Sequence, residues 1–176
     1  MTVSLVNEPS RSSVTLSGAR SYIVTFALAA IALVMTVPVR AGFLMVLFIP
    51  FIFVTLVLNV IAIIRKPERR RLSITRVVVW LVVPMIVGIA HWYWYRASRT
   101  DANVAAAAVI RYKAQTGSWP KSLQEAGIAD PRFGKRWMLG YLPDAQRPFM
   151  VYAATFMMFD SYTYNFEENR WDYSPD

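Results

Sequence analysis

Three stretches without a single charge dominate the pattern of the chain: residues 21–39, 41–64 and 77–95, of 19, 24 and 19 residues, each rich in Val, Ile, Leu, Phe and Ala. A hydrocarbon layer about 30 Å thick is crossed by roughly 20 apolar residues in helix, at about 1.5 Å of rise each. The pattern therefore predicts three transmembrane helices, at 20–39, 41–64 and 76–95, with a polar loop at 65–75. Pro38 and Gly42 flank the short connection around Arg40, which makes the first two helices a hairpin. Residues 1–19 are Ser/Thr-rich with few large apolar side chains after Val6, and read as a disordered leader. The apolar run behind that leader is longer than the roughly 7–15 residues of a signal-peptide core, so it reads as an uncleaved anchor.

Beyond residue 96 the periodicity changes. From Ala97 to Gln115 the chain reads as helix, with Ala105 to Ala108, Val104, Val109 and Tyr112 supplying an apolar stripe. No proline or glycine interrupts 89–116, so the third apolar block either runs on into this helix or breaks at its aromatic end. Gly117 is the expected left-handed stop, with Trp119-Pro120 behind it. Ser122 and Glu125 form a capping-box pattern that predicts one helical turn over 122–126, with Leu123 facing inward and Gly127 ending it. Strands are predicted at 136–142, 148–157, 161–166 and 170–173. In the third, Tyr162, Tyr164 and Phe166 alternate with Ser161, Thr163 and Asn165; in the fourth, Trp171 and Tyr173 flank Asp172. Asn169 suits the positive φ of the turn between them. The aromatic series is expected to form a core against Ala105, Ala108, Val109 and Tyr112, with a glycan- or peptide-binding strip as the alternative. The fold class is an α+β membrane protein: three transmembrane helices in 20–95, then a helix packed on three or four antiparallel strands in 96–176.

Charge orients this plan. Of the formal +8, residues 1–95 hold +7 and residues 96–176 only +1. The excess sits in one loop, where Arg65, Lys66, Arg69, Arg70, Arg71 and Arg76 face Glu68 alone. By the positive-inside bias that loop is cytoplasmic, which makes the amino terminus cytoplasmic and the carboxyl domain periplasmic, in a bacterial inner membrane. Arg96 and Arg99 oppose this orientation and are outnumbered. The six basic residues read as an orientation determinant and a contact for anionic lipid, at about 1 kcal/mol each. Nucleic acid is not an expected partner, since a reader of it carries its cations on a folded face. The chain has no cysteine, which excludes a disulfide scaffold, thiolate metal sites and thiol catalysis.

The stretch DANVAAAAVIRYKAQTGSWPKSLQEAGI resembles the end of the long helix in bacterial type IV pilins and type II secretion pseudopilins, at Tyr112, Gly117, Trp119, Pro120, Ser122 and Leu123. The following meander, ending in YTYNFEENRWDY, is similar to the pilin head. The likeness covers about the last 80 residues and lacks the prepilin leader, because the helix is here the third membrane segment. What it implies is a pilin-like periplasmic head on a three-helix anchor.

Candidate chemistry is sparse. His91 is the only imidazole, followed by Trp92, Tyr93, Trp94 and Tyr95, an aromatic belt of the kind found at headgroup level. With no second histidine, neither a metal nor a cofactor site is expected; ligation of haem or contact with a quinone is the alternative. Thr55 and Asn59, one helical turn apart, are expected to make interhelical contacts. No Asp, Glu, Lys or Arg lies within the charge-free stretches 21–39, 41–64 and 77–95, which removes the groups that proton relays and coupled transporters use. The head's acidic residues show no paired spacing, so no catalytic residue is assigned. Its expected partner surface is Arg132, Lys135, Arg136 and Trp137, or the hairpin tip at Glu167 and Glu168. The reading is a non-enzymatic inner-membrane protein whose periplasmic head recognises a protein partner, accessory to an envelope assembly or secretion system. The alternatives are an immunity protein against a membrane- or periplasm-acting toxin and a small subunit of a redox or transport complex.

Overall fold

The computed structural model describes residues 11–128, 138–144, 147–157 and 159–175, with 11–19 described by backbone alone. It is an α+β fold: helices α1 (Arg11–Thr36), α2 (Met45–Arg65) and α3 (Arg70–Thr116), then strands β1 (Gly140–Leu142), β2 (Phe149–Ala153), β3 (Ser161–Asn165) and β4 (Arg170–Ser174). Single 3₁₀ turns at Gly42–Leu44 and Pro67–Arg69 precede α2 and α3.

Several boundaries differ from expectation, each for a local reason. Helix α1 already runs from Arg11, inside the expected leader, because an apolar helix once nucleated propagates outward at little cost. It stops at Thr36 rather than 39, since Pro38 disfavours helical geometry at Val37 and cannot donate into the ladder. Among the described residues two helical segments, not three, are long and apolar enough to cross a membrane: Gly42–Arg65 and Pro67–Thr116. The apolar part of α1, Arg20–Thr36, is a shorter helix. The loop expected at 65–75 is largely helical, α3 starting at Arg70 with Pro67 in the 3₁₀ turn before it. From there α3 continues for 47 residues, so the third apolar block and the following helix are one element.

The chain forms two units, one of Met1–Met35 with Met45–Ile86 and one of Thr36–Leu44 with Val87–Asp176. In the first, Ala29 and Ala32 of α1, Ile52 of α2 and Trp80 and Val83 of α3 make the core. Thr25, Ala29 and Ala32 recur at the 3–4 spacing of one helix face, and small residues of this kind let backbones approach closely. Phe51 packs edge-on against Trp80, with ring centroids 5.0 Å apart.

In the second unit the strands form an antiparallel meander in the order β1-β2-β3-β4. The register sets Tyr141 against Met150, Tyr152 against Tyr162, Tyr162 against Tyr173 and Tyr164 against Trp171. Side chains alternate across a strand, so these aromatics share one face. That face packs on Ala102, Ala105, Ala106 and Val109 of α3, spaced i, i+3, i+4 and i+7. Tyr152 is central, stacked on Tyr162 at 5.0 Å and edge-on to Trp171 at 4.8 Å. The Trp171 indole N–H donates to Asn103 Oδ1 at 2.9 Å. Of the expected core, Ala108 is half-buried while Val104 and Tyr173 are exposed.

The α3 stop follows expectation: Gly117 has φ 77° and donates its N–H to Lys113 O at 2.8 Å. Residues 123–127 form a hydrogen-bonded turn rather than a helix, begun by Glu125 N–H donating to Ser122 Oγ at 3.2 Å. Gly127, at φ 90°, donates to Gln124 O at 3.0 Å, and Ile128 N–H donates to Leu123 O at 2.9 Å. Those two bonds are a Schellman closure, and both Leu123 and Ile128 pack on the core.

Candidate functional site

The last carbonyls of a helix lack intrahelical donors and must find others. At the end of α1 they come from α3: His91 Nε2 lies 2.8 Å from Thr36 O and the Trp94 indole N–H donates to Val37 O at 3.3 Å. The other ring nitrogen of His91 lies 3.1 Å from Thr155 O, which also accepts Arg40 N–H at 2.7 Å. Phe43 N–H donates to Phe156 O at 3.3 Å, completing a joint between residues 36–43, α3 and the loop after β2. Gly42 suits this place, because a Cβ would meet the Phe156 ring and stand 2.9 Å from His91 Nε2, so a side chain would have to shift. His91 is only 5% exposed, with both nitrogens turned to carbonyls, so neither is presented to a haem iron or a quinone. Of the expected belt, Trp92, Tyr93 and Tyr95 are exposed and Trp94 is half-buried.

Beside this joint lies a cavity of about 480 Å³ walled by Trp92, Tyr95, Phe156, Met157, Tyr162 and Tyr173. Its carboxylate, Asp160, is buried and accepts the Tyr173 hydroxyl. That bond holds the Tyr173 hydroxyl above the ordinary tyrosine range, and burial does the same to Tyr162. The cavity thus offers aromatic walls and an already bonded carboxylate. Phe156, Met157 and Phe159 are exposed in the loop after β2.

The sheet face opposite the core is divided. Its β3–β4 half is polar, with Thr163 beside Asp172 and Asn165 beside Arg170. Its β1–β2 half is apolar: Leu142 faces Phe149 directly, and they are 65% and 45% exposed, with Val151 next along β2. Strand β1 is the sheet edge, so its outer backbone row has no strand partner among the described residues. At the hairpin tip Glu167 and Glu168 pair with Arg147 at 3.6 Å and Arg170 at 2.7 Å, exposed ion pairs of little energetic weight. Arg132, Lys135, Arg136 and Trp137 lie outside the described residues. Leu142 and Phe149 were not singled out from the sequence. The available signal is the run PFMVYAATFM, apolar but for Thr155, which must expose one face when only one side of a sheet is covered.

In the first unit Arg65 ends α2, Lys66 and Arg69 bracket the 3₁₀ turn, and Arg70 and Arg71 open α3. Arg76 is half-buried and donates through Nη2 to Ser21 Oγ. Asn59, expected to bond between helices, donates instead within α2 to Thr55 O at 2.8 Å, although its side chain is buried. Among the described residues no group of three or more His, Asp and Glu gathers as metal ligands do. Comparison with protein-family models, with curated proteins and with solved structures gives no match.

Proposed function

We propose that this chain is a non-enzymatic protein of the bacterial inner membrane whose periplasmic head recognises another protein, as an accessory of an envelope assembly or secretion system. The observation that carries recognition is the exposed Leu142–Phe149 pair beside the open edge of β1. One face of the sheet is filled by the aromatic core, whereas this apolar half of the other face lies next to an edge that has no strand partner among the described residues. An extended segment of a partner can add to such an edge, its backbone pairing with β1 and its apolar side chains resting on Leu142 and Phe149.

Membrane insertion is supported by how little of the apolar helices the fold covers. Only 11% of the most apolar window in Gly42–Arg65 and 22% of that in Pro67–Thr116 is buried, whereas the core helix of a soluble protein is mostly enclosed. We take α1 as the third span: its apolar part, the 17 residues from Arg20 to Thr36, reaches about 25 Å, the short end of the spanning range. The basic loop is then cytoplasmic and the head periplasmic. A long helix laid on a four-stranded meander is the arrangement that the pilin-like resemblance implies.

The test is purification of the full chain in mild detergent at native expression, with an optical spectrum and mass spectrometry of what accompanies it. A colourless preparation with one stoichiometric protein, lost in a Leu142→Lys/Phe149→Lys variant that still folds, is the expected result. A Soret band or large respiratory subunits would overturn the proposal. If the one partner is a toxin, the head is that of an immunity protein.

A further inference from the structure

Between α1, α2 and α3, at the end where the basic loop lies, the first unit has an open cleft of about 1060 Å³. Its composition changes along the helices. The loop end carries Arg65, Lys66, Arg69 and Arg71 against Glu68 alone. Farther along the helices from the loop the lining includes the buried Thr25, Asn59 and Ser73 and the half-buried Arg76, and beyond them Leu28, Phe51 and Trp80.

An orientation signal needs only cations near the membrane surface. It requires neither buried Asn59 and Ser73 nor an arginine set into the bundle. Arg76, half-buried on α3, donates one guanidinium N–H to Ser21 of α1, and that bond anchors a group with five N–H donors at the cavity. Cations at the loop end, hydroxyl and amide groups farther along and hydrocarbon beyond form a polarity gradient that matches one ligand chemistry, an anionic phosphate ester carrying acyl chains. We propose that this cavity binds one anionic phospholipid, its phosphate among Arg76, Lys66 and Arg69 and its glycerol oxygens near Asn59 and Ser73. The volume lies at the upper end of the roughly 300–1,000 Å³ of small-molecule sites.

This inference rests on the membrane reading of the helices, and the experiment separates the two. The full chain is reconstituted in nanodiscs of phosphatidylcholine alone or with added phosphatidylglycerol, and lipid retained after transfer to detergent is counted by native mass spectrometry. One phosphatidylglycerol should stay with each chain. Retention should fall roughly five- to tenfold in Arg76→Gln and in Lys66→Gln, the latter an exposed change that spares the fold. Arg70 belongs to the same loop but does not line the cavity, so Arg70→Gln should leave retention unchanged. Equal losses in all three variants would overturn the site in favour of diffuse surface charge. Glycerol phosphate displacing the lipid as well as dispersed phosphatidylglycerol does would overturn the lipid as occupant. Insertion without retained phosphatidylglycerol would remove the site and leave the membrane reading standing, whereas failure to insert in either disc would remove both.

Discussion

At the scale of single residues, His91 joins segments far apart in sequence. Its partners are carbonyls 55 residues upstream and 64 residues downstream. Replacing it with alanine removes the ring from between the two carbonyls, and losing a buried hydrogen bond of this kind costs about 1–3 kcal/mol. Thr155 O keeps the N–H of Arg40 and suffers less. We expect His91→Ala to lower the unfolding temperature of the full chain in detergent, followed by tryptophan fluorescence. His91→Gln, which retains one N–H donor at similar reach, should restore part of it. Unchanged melting in both variants would mean that water replaces the ring at these carbonyls. The sequence marks His91 as the lone imidazole beside an aromatic run, but no local pattern states that its partners are backbone atoms of residues 36 and 155.

Among the elements, what was legible depended on whether the information was local. The stops at Gly117 and Gly127 and the cap at Ser122 are set within a few residues, and the structure has all three. The buried face of α3 was not legible in its apolar half. Trp80, Val83, Val87 and His91 are buried at spacings of three and four, but Val78, Leu81, Val82 and Met85 beside them are equally apolar and exposed, so composition hides the stripe. Strand β2 fails for the same reason, with Met150 and Tyr152 inside and Phe149 outside. The aromatic sheet instead yields a prediction on the alkaline side. Tyr141, Tyr152, Tyr162 and Tyr164 are held above the ordinary tyrosine value of 10.0 chiefly by burial, and Tyr112 and Tyr173 by bonds to Glu125 and Asp160. A raised folded value means that the unfolded chain releases its protons first. The contribution to stability is therefore complete below pH 10 and is lost as pH rises through the folded values. Absorbance at 295 nm should show tyrosine ionisation delayed past the free value and coincident with loss of the head's near-ultraviolet circular dichroism. Ionisation of all tyrosines at the free value, with that signal intact, would contradict the packing of this core.

For the whole molecule the open question is which way it faces, and here the two competing groups of arginines are not equivalent. Arg65, Arg69, Arg70 and Arg71 are exposed at the α2–α3 connection, where cations act as an orientation signal. In the second unit Arg96 lies over the Trp92 ring at 4.6 Å, and Arg99 lies 5.8 Å from the Tyr162 ring and 3.5 Å from the Tyr152 hydroxyl. Both therefore have contacts that account for them without topology, as cations set over aromatic rings. If the connection governs orientation, alkaline phosphatase fused after Tyr173 should be active and the same enzyme fused after Arg70 inactive. Changing Arg69, Arg70 and Arg71 together to Gln leaves three of the six basic residues, Arg65, Lys66 and Arg76. Activity should then appear in the Arg70-site fusion and fall in the Tyr173-site fusion, whereas Arg96→Gln should leave both as they were. The reverse pattern in the unmodified chain would place the head in the cytoplasm. It would also carry the open edge of β1 to partners there, so the fusion result decides in which compartment the head's partner is sought.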